Sequence, residues 1–460
     1  MDNYQRDYKF VSYTTSLCPE CLKKLDAKII EFGGKIYVTR ICPDHGNFRE
    51  LMEENAGFYL KRGEYDKPGT VSKTQTSIKR GCPFDCGLCP NHDQHTCNGL
   101  IEITNACDLG CPTCYAHSGE GENLSLETIE KMLDFFVDSE HGQAEILQIS
   151  GGEPTMHPQI LDIIRLARKK SIKYLLLNTN GLRLARDPEF AKELGKFKGG
   201  FEVYLQFDGL SKKSALAIRG RDVIGERKKA IAHLSAAGVP ITLVATIVKD
   251  INDDQIGGIF NYAIGETWIR GINYQPVAFF GRLPEGTDTG NRITMTGILE
   301  RLESQTKRMV RLDDFIPLPC DVERVALSYL FKQKGEFTPL IRDVDIRQFL
   351  PAIRNTFQFA PDNVTKEIAE TFNKKGACCQ LAGLFKSLSR AILPSGYSVM
   401  SLEQKSEFIN DNTFRISATS FVDKYNFDAK SMQKECVHVI TPDLKKIPFS
   451  AYNMIHRGKI

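Results

Sequence analysis

From about residue 99 to residue 277, strand-like runs of apolar residues alternate with stretches whose apolar residues recur at helical spacing. Strands are expected at 99–104, 145–149, 173–178, 202–207, 240–248 and 270–277. Between them, Leu126, Ile129, Leu133 and Phe136 fall on one helical stripe, and Ile160, Ile163, Ile164 and Ala167 on another. This alternation predicts βα units and a parallel sheet. Nearer the N-terminus, strand-like sequence such as Lys35-Ile36-Tyr37-Val38 separates two cysteine knuckles, and predicts a small ribbon.

The chain has 460 residues, 42% hydrophobic and 25% charged, so it can bury substantial cores and is expected to form two to four domains. A net charge of +3, with basic and acidic residues interspersed, gives no nucleic-acid footprint. No apolar run approaches the roughly 18 residues of a membrane span. Met1 to Arg6 lacks a signal-peptide core, so the chain is placed in the cytoplasm. There, fourteen cysteines point to metal or cluster ligation rather than disulfides.

The cysteines fall in groups. Cys107, Cys111 and Cys114, spaced C-x3-C-x2-C, follow the apolar stretch Leu100-Ile101-Glu102-Ile103-Thr104 and are followed at once by Tyr115. A [4Fe-4S] cluster normally takes four thiolates, so three leave one iron open to chelate the amino and carboxylate groups of S-adenosylmethionine (SAM). A structural zinc knuckle is the competing reading. Ser150-Gly151-Gly152-Glu153-Pro154 follows the second strand candidate and precedes a helix-like run from Pro158 to Lys170, and its paired glycines let backbone approach a ligand closely. Alone it is an ordinary βα turn; in register with the cysteine triplet it resembles the radical SAM superfamily.

That resemblance implies an α/β fold with a partial (β/α)6 TIM-like barrel, whereas periodicity leaves a doubly wound sheet open. It implies that Gly151, Gly152, Glu153 and Pro154 lie against the SAM amino group. It also implies that Asn178 and Asn180 after the third strand, and Gln206 and Asp208 after the fourth, face the ribose and carboxylate. Thr246 on the fifth strand and Gln275 on the sixth join them, Gln275 on the edge used for adenine. As turn residues, Asn180-Gly181 and Asp208-Gly209 need no function.

Cys18, Cys21, Cys42 and His45 suit tetrahedral zinc or a rubredoxin-like mononuclear iron, with a metal-free ribbon as the alternative. Cys82, Cys86 and Cys89 form a second C-x3-C-x2-C, and Cys97 supplies a fourth thiolate that closes it as an auxiliary [4Fe-4S] site. Cys320, Cys378, Cys379 and Cys436 are enough for a third [4Fe-4S] cluster, or are buried free thiols. The expected division is a metal ribbon at 1–75, an auxiliary cluster segment at 76–98, the SAM core at 99–300 and a C-terminal α+β domain at 301–460.

The ribbon, both cysteine loops, Asn273-Tyr274-Gln275-Pro276 and the late Glu435-Cys436-Val437-His438 together resemble the branch of the superfamily containing class D methylases and archaeal tetraether lipid synthases. The branch implies hydrogen abstraction from an unactivated carbon followed by carbon-carbon bond formation, with a ferredoxin or flavodoxin as reduced electron donor. Coupling of lipid chains is the first expectation, with walls from Phe279 to Phe331 and from Phe349 to Phe359 and contact with a membrane surface. The alternative is methylation of a pterin-type small molecule from a methylene-folate-type donor. A non-catalytic iron-sulfur electron carrier would need no SAM loop, and the GGEP segment stands against it.

Overall fold

The computed structural model describes residues 7–458 except 71, 117, 198, 334–335, 344–346, 348–354, 358–399, 402–403, 405–407 and 409–410. Cys378 and Cys379 therefore lie outside the described residues, as does most of 349–359.

The ribbon is a four-stranded antiparallel sheet of β1 (Lys9–Leu17), β2 (Lys24–Phe32), β3 (Lys35–Cys42) and β4 (Gly46–Glu53). On β3 the residues Ile36, Val38, Arg40 and Cys42 point inward at the period of two that a strand imposes. Gly33 and Gly34, at φ 59° and 76°, make the two-residue turn between β2 and β3, where left-handed backbone is required. The ribbon is tied to the rest of the chain: Glu53 accepts from the amide and hydroxyl of Thr296, and Arg40 donates to the carbonyls of Leu17 and Tyr425.

The six expected strands form as β5 (Asn98–Glu102), β6 (Ala144–Ser150), β7 (Ile172–Thr179), β8 (Phe201–Gln206), β9 (Ile241–Ile247) and β10 (Ile269–Pro276). They pair in chain order and all in parallel. Helices cover the outer face. In the helix Leu126–Ser139, capped by the Ser125 hydroxyl on the Thr128 amide, Ile129, Met132, Leu133 and Phe136 are buried, as the helical stripe requires.

The C-terminal segment, expected as an α+β domain, adds strands to the core sheet. Its strands β11 (Ile316–Leu318), β12 (Asp321–Gln333), β13 (Glu336–Pro339), β14 (Thr413–Thr419), β15 (Val437–Ile440) and β16 (Lys446–Pro448) join the same sheet. β14 extends it in parallel beside β10, and β15 does so beside β5. Eight parallel strands in the order β15-β5-β6-β7-β8-β9-β10-β14 result, flanked by antiparallel β12 and β16. The six-unit sheet is thus widened on both sides by chain that is distant in sequence.

Candidate active site

At the C-terminal end of β5 the chain turns into the cysteine loop, and the loop is held by backbone on both sides. On one side, the amides of Gly152 and Glu153 donate to the carbonyls of Thr104 and Ala106 at 2.7 and 2.8 Å. A Cβ on Gly151 would stand 2.3 Å from the Thr104 carbonyl oxygen, and one on Gly152 would stand 2.3 Å from that of Ala106. The paired glycines therefore seat the root of the cysteine loop. On the other side, Cys114 and Arg282 exchange backbone hydrogen bonds of 2.9 and 2.8 Å, and Gly281, at φ 69°, clears the carbonyls of Cys114 and Tyr115.

A cavity of about 190 Å³ opens beneath this loop and runs into the barrel. Cys107, Cys111, Cys114 and Tyr115 line it, with Gly151, Gly152, Glu153, Asn178, Asn180, Gln206, Thr246 and Gln275. Three soft thiols on the wall of one cavity are the donor set that an iron-sulfur cluster takes. Across the strand ends runs a hydrogen-bonded chain: Arg219 donates to Gln206 Oε1 at 2.7 Å, Gln206 Nε2 to Asn178 Oδ1 at 3.3 Å, and Asn178 Nδ2 to Ser150 Oγ at 3.2 Å. The Tyr115 hydroxyl lies 3.3 Å from Ser150 Oγ. Burial pushes the Tyr115 hydroxyl up to about 12, so it stays protonated.

Three of the expected ligand positions stand in other surroundings. Asp208 is absent from the cavity wall; it is buried between Arg219 and Arg227, with oxygens 2.6 to 2.9 Å from their nitrogens. Burial alone would push its carboxyl up, but the two guanidiniums hold it well below the usual carboxylate range. Glu153 touches the cavity, yet both oxygens are occupied by protein: one accepts from Thr155 and Thr179, the other from the Asn180 amide. Pro154 starts a short 3-10 turn rather than lining the cavity. Sequence reasoning missed Arg219, whose guanidinium lies 3.9 Å from Cys111 Sγ, and Arg282, which donates to the Cys111 carbonyl at 2.8 Å. Only the Gly281-Arg282 pair, a few residues past the sixth strand, marked the latter.

In the ribbon, the ligand atoms of Cys18, Cys21, Cys42 and His45 all lie within 4.8 Å of one another, with His45 Nδ1 3.6 Å from Cys18 Sγ and 3.4 Å from Cys42 Sγ. These are separations of ligands around one tetrahedral ion. Cys82, Cys86 and Cys89 surround a small recess with His92 and Met432. Cys97 does not join them. Its thiol, with those of Cys320 and Cys436, forms a second close group within 4.8 Å, each residue 0% exposed. The cause is strand pairing: Cys97 immediately precedes β5, Cys436 immediately precedes the neighbouring β15, and the Cys97 amide donates to the Cys436 carbonyl at 3.0 Å.

The three-cysteine loop, the glycine pair braced against its root and the barrel cavity below define a radical SAM enzyme. Residues 101–263 match the family model for the radical SAM superfamily, and residues 10–54 match the one described as the HMPTM N-terminal zinc ribbon domain. The chain belongs to the radical SAM superfamily. It is 33% identical, over 97% of its length and 94% of the relative's, to 7,8-dihydro-6-hydroxymethylpterin dimethyltransferase of Methanocaldococcus jannaschii. A probable GTP 3',8-cyclase of Pyrococcus abyssi is 31% identical over 36% of this chain and 52% of its own. Among solved structures, Streptococcus suis SuiB bound to S-adenosylmethionine matches 48% of this chain and 49% of its own at 19% identity and a TM-score of 0.38.

Proposed function

We propose that this enzyme methylates a reduced pterin, using SAM as the radical source and a methylene-folate-type compound as carbon donor. The observation that carries this reading is the similarity to a pterin dimethyltransferase along nearly the whole of both chains, ribbon and C-terminal strands included. It reverses the order of the two expectations. Coupling of lipid chains gains nothing from the comparisons, and no helix among the described residues is long and apolar enough to cross a membrane. The cavity does have apolar walls, from Phe280, Leu318, Leu327 and Phe357, but Asn98, Gln148, Asn178, Gln206, Asn273 and Gln275 also line it. Asn180 makes seven, and so many amides inside a barrel suit a hydrogen-bonding heterocycle better than an alkyl tail.

In this reading Cys107, Cys111 and Cys114 hold a [4Fe-4S] cluster, and the amide chain from Gln206 to Ser150 orients the SAM carboxylate and ribose. The cluster with SAM bound supplies a hydrogen-abstracting carbon radical, for which a ferredoxin or flavodoxin of the cytoplasm provides the electron. Arg219 and Arg282 add positive charge and donors beside the thiolates, while Phe280 and Phe449 close the cavity against water. Cys18, Cys21, Cys42 and His45 hold zinc; Cys82, Cys86 and Cys89 hold an auxiliary cluster; Cys97, Cys320 and Cys436 hold a further metal centre.

Anaerobic protein reconstituted with iron and sulfide, then reduced with SAM, methylenetetrahydrofolate and 7,8-dihydro-6-hydroxymethylpterin, should yield deoxyadenosine and a pterin heavier by one or two methyl groups. Deoxyadenosine without any methylated pterin would refute the substrate; neither product would refute the whole reading.

A further inference from the structure

Resting on the pterin reading, we propose that Asn98 and Gln148 form the edge that recognises the substrate ring, and that they select a ring carrying adjacent hydrogen-bond donor and acceptor, as in a cyclic amide. Both side chains line the cavity and both are buried, at 9% and 8% exposure. They stand on neighbouring parallel strands, where Asn98 is level with Ile146 and Gln148 with Leu100. Asn98 Nδ2 donates to Gln148 Oε1 at 3.0 Å.

That single bond leaves each amide half used. Asn98 Oδ1 is buried with no hydrogen-bond partner, and among the described residues Gln148 Nε2 has none either. Reversing both amides exchanges the roles and keeps the outcome: one acceptor and one donor left unused, on two neighbouring side chains that both line the cavity. Two groups of opposite polarity held together by their own bond are complementary to the N–H and C=O of a lactam. An alkyl chain answers neither, and a buried unmade hydrogen bond is costly.

Two other polar side chains of the cavity wall, Asn273 and Arg415, have protein partners. Ser417 and Thr419 both donate to Asn273 Oδ1, at 2.9 and 3.0 Å, and Arg415 donates to Thr242 at 2.8 Å. Leu100, Tyr204, Val244 and Phe280 line the same cavity and offer apolar surface to the faces of a flat ring.

Equilibrium dialysis of the reconstituted holoenzyme tests this with two probes: 7,8-dihydro-6-hydroxymethylpterin and its analogue with an amino group in place of the ring oxo group. Wild type should bind the oxo ring about 10- to 100-fold more tightly, the size expected for one buried hydrogen bond left unmade. Asn98→Leu and Gln148→Leu, close in volume, should weaken the oxo ring by a similar factor and erase the preference. Equal binding of both rings by wild type, or unaltered oxo-ring affinity in variants whose iron content and unfolding midpoint are retained, overturns the assignment while leaving the pterin reading standing. Wild type that binds neither ring removes the pterin reading and this inference with it. Because wild type alone reports the ring preference, the test survives a variant that fails to fold.

Discussion

At Gly152 the width of one methyl group separates a seated cysteine loop from a displaced one, because the Ala106 carbonyl oxygen occupies the place a Cβ would take. The contact is with backbone, which cannot rotate away as a flexible side chain would. Gly152→Ala should therefore push the loop off its seat, at an overpacking cost of about 1–3 kcal/mol, and the reconstituted variant should lack one cluster's worth of iron while keeping the ribbon metal. Iron per chain and deoxyadenosine formation equal to wild type would count against this role for the glycine pair. Asp208 shows the limit of reading residues singly. Its place after a strand suggested a ligand; its two arginine partners, Arg219 and Arg227, come from the following helices, and nothing in the local pattern says that a carboxylate will meet them.

Among the elements, β5 to β10 were legible to within a few residues at each end, since each is an apolar run bounded by turn residues and neighbours in sequence are neighbours in the sheet. β14 and β15 were not, because a strand's partner is not written in its own alternation and theirs lie far up the chain. The place of Cys97 was not legible for the same reason: spacing favours the nearest cysteines, while the register of β15 beside β5 brings Cys436 to it. The ribbon's attachment carries a pH signature. Asp428 caps the helix Ala429–Lys434 and accepts from Thr14 of β1, and burial with the neighbouring Glu323 charge pushes its carboxyl up to about 6. Since an unfolded Asp titrates near 4, the proton bound in the folded protein contributes stability fully below about pH 4, and this is lost as pH rises through about 6. The unfolding midpoint should thus fall across that window, and Asp428→Asn, which still caps, should flatten the fall. Parallel pH profiles for the two proteins would contradict it.

For the whole molecule, the group of Cys97, Cys320 and Cys436 matters because its members come from three widely separated parts of the chain and meet where the two flanks of the sheet approach the barrel. A metal held there would cross-link the C-terminal strands to the first barrel strand. Cys320→Ser should lower the metal content, leave the ribbon metal and the Cys107 loop loaded, and reduce the thermal midpoint of the whole chain rather than of one segment. A variant with undiminished metal would show these thiols to be ordinary core. The pairing of β15 with β5 has one more consequence. A ribosome delivers β5 well before β15, so while the intervening chain is made the first barrel strand waits with an open edge and Cys97 without Cys436. Any metal taken up by these three thiols would have to wait until β15 is made, and a nascent chain stalled before β15 would present an unpaired strand that invites aggregation.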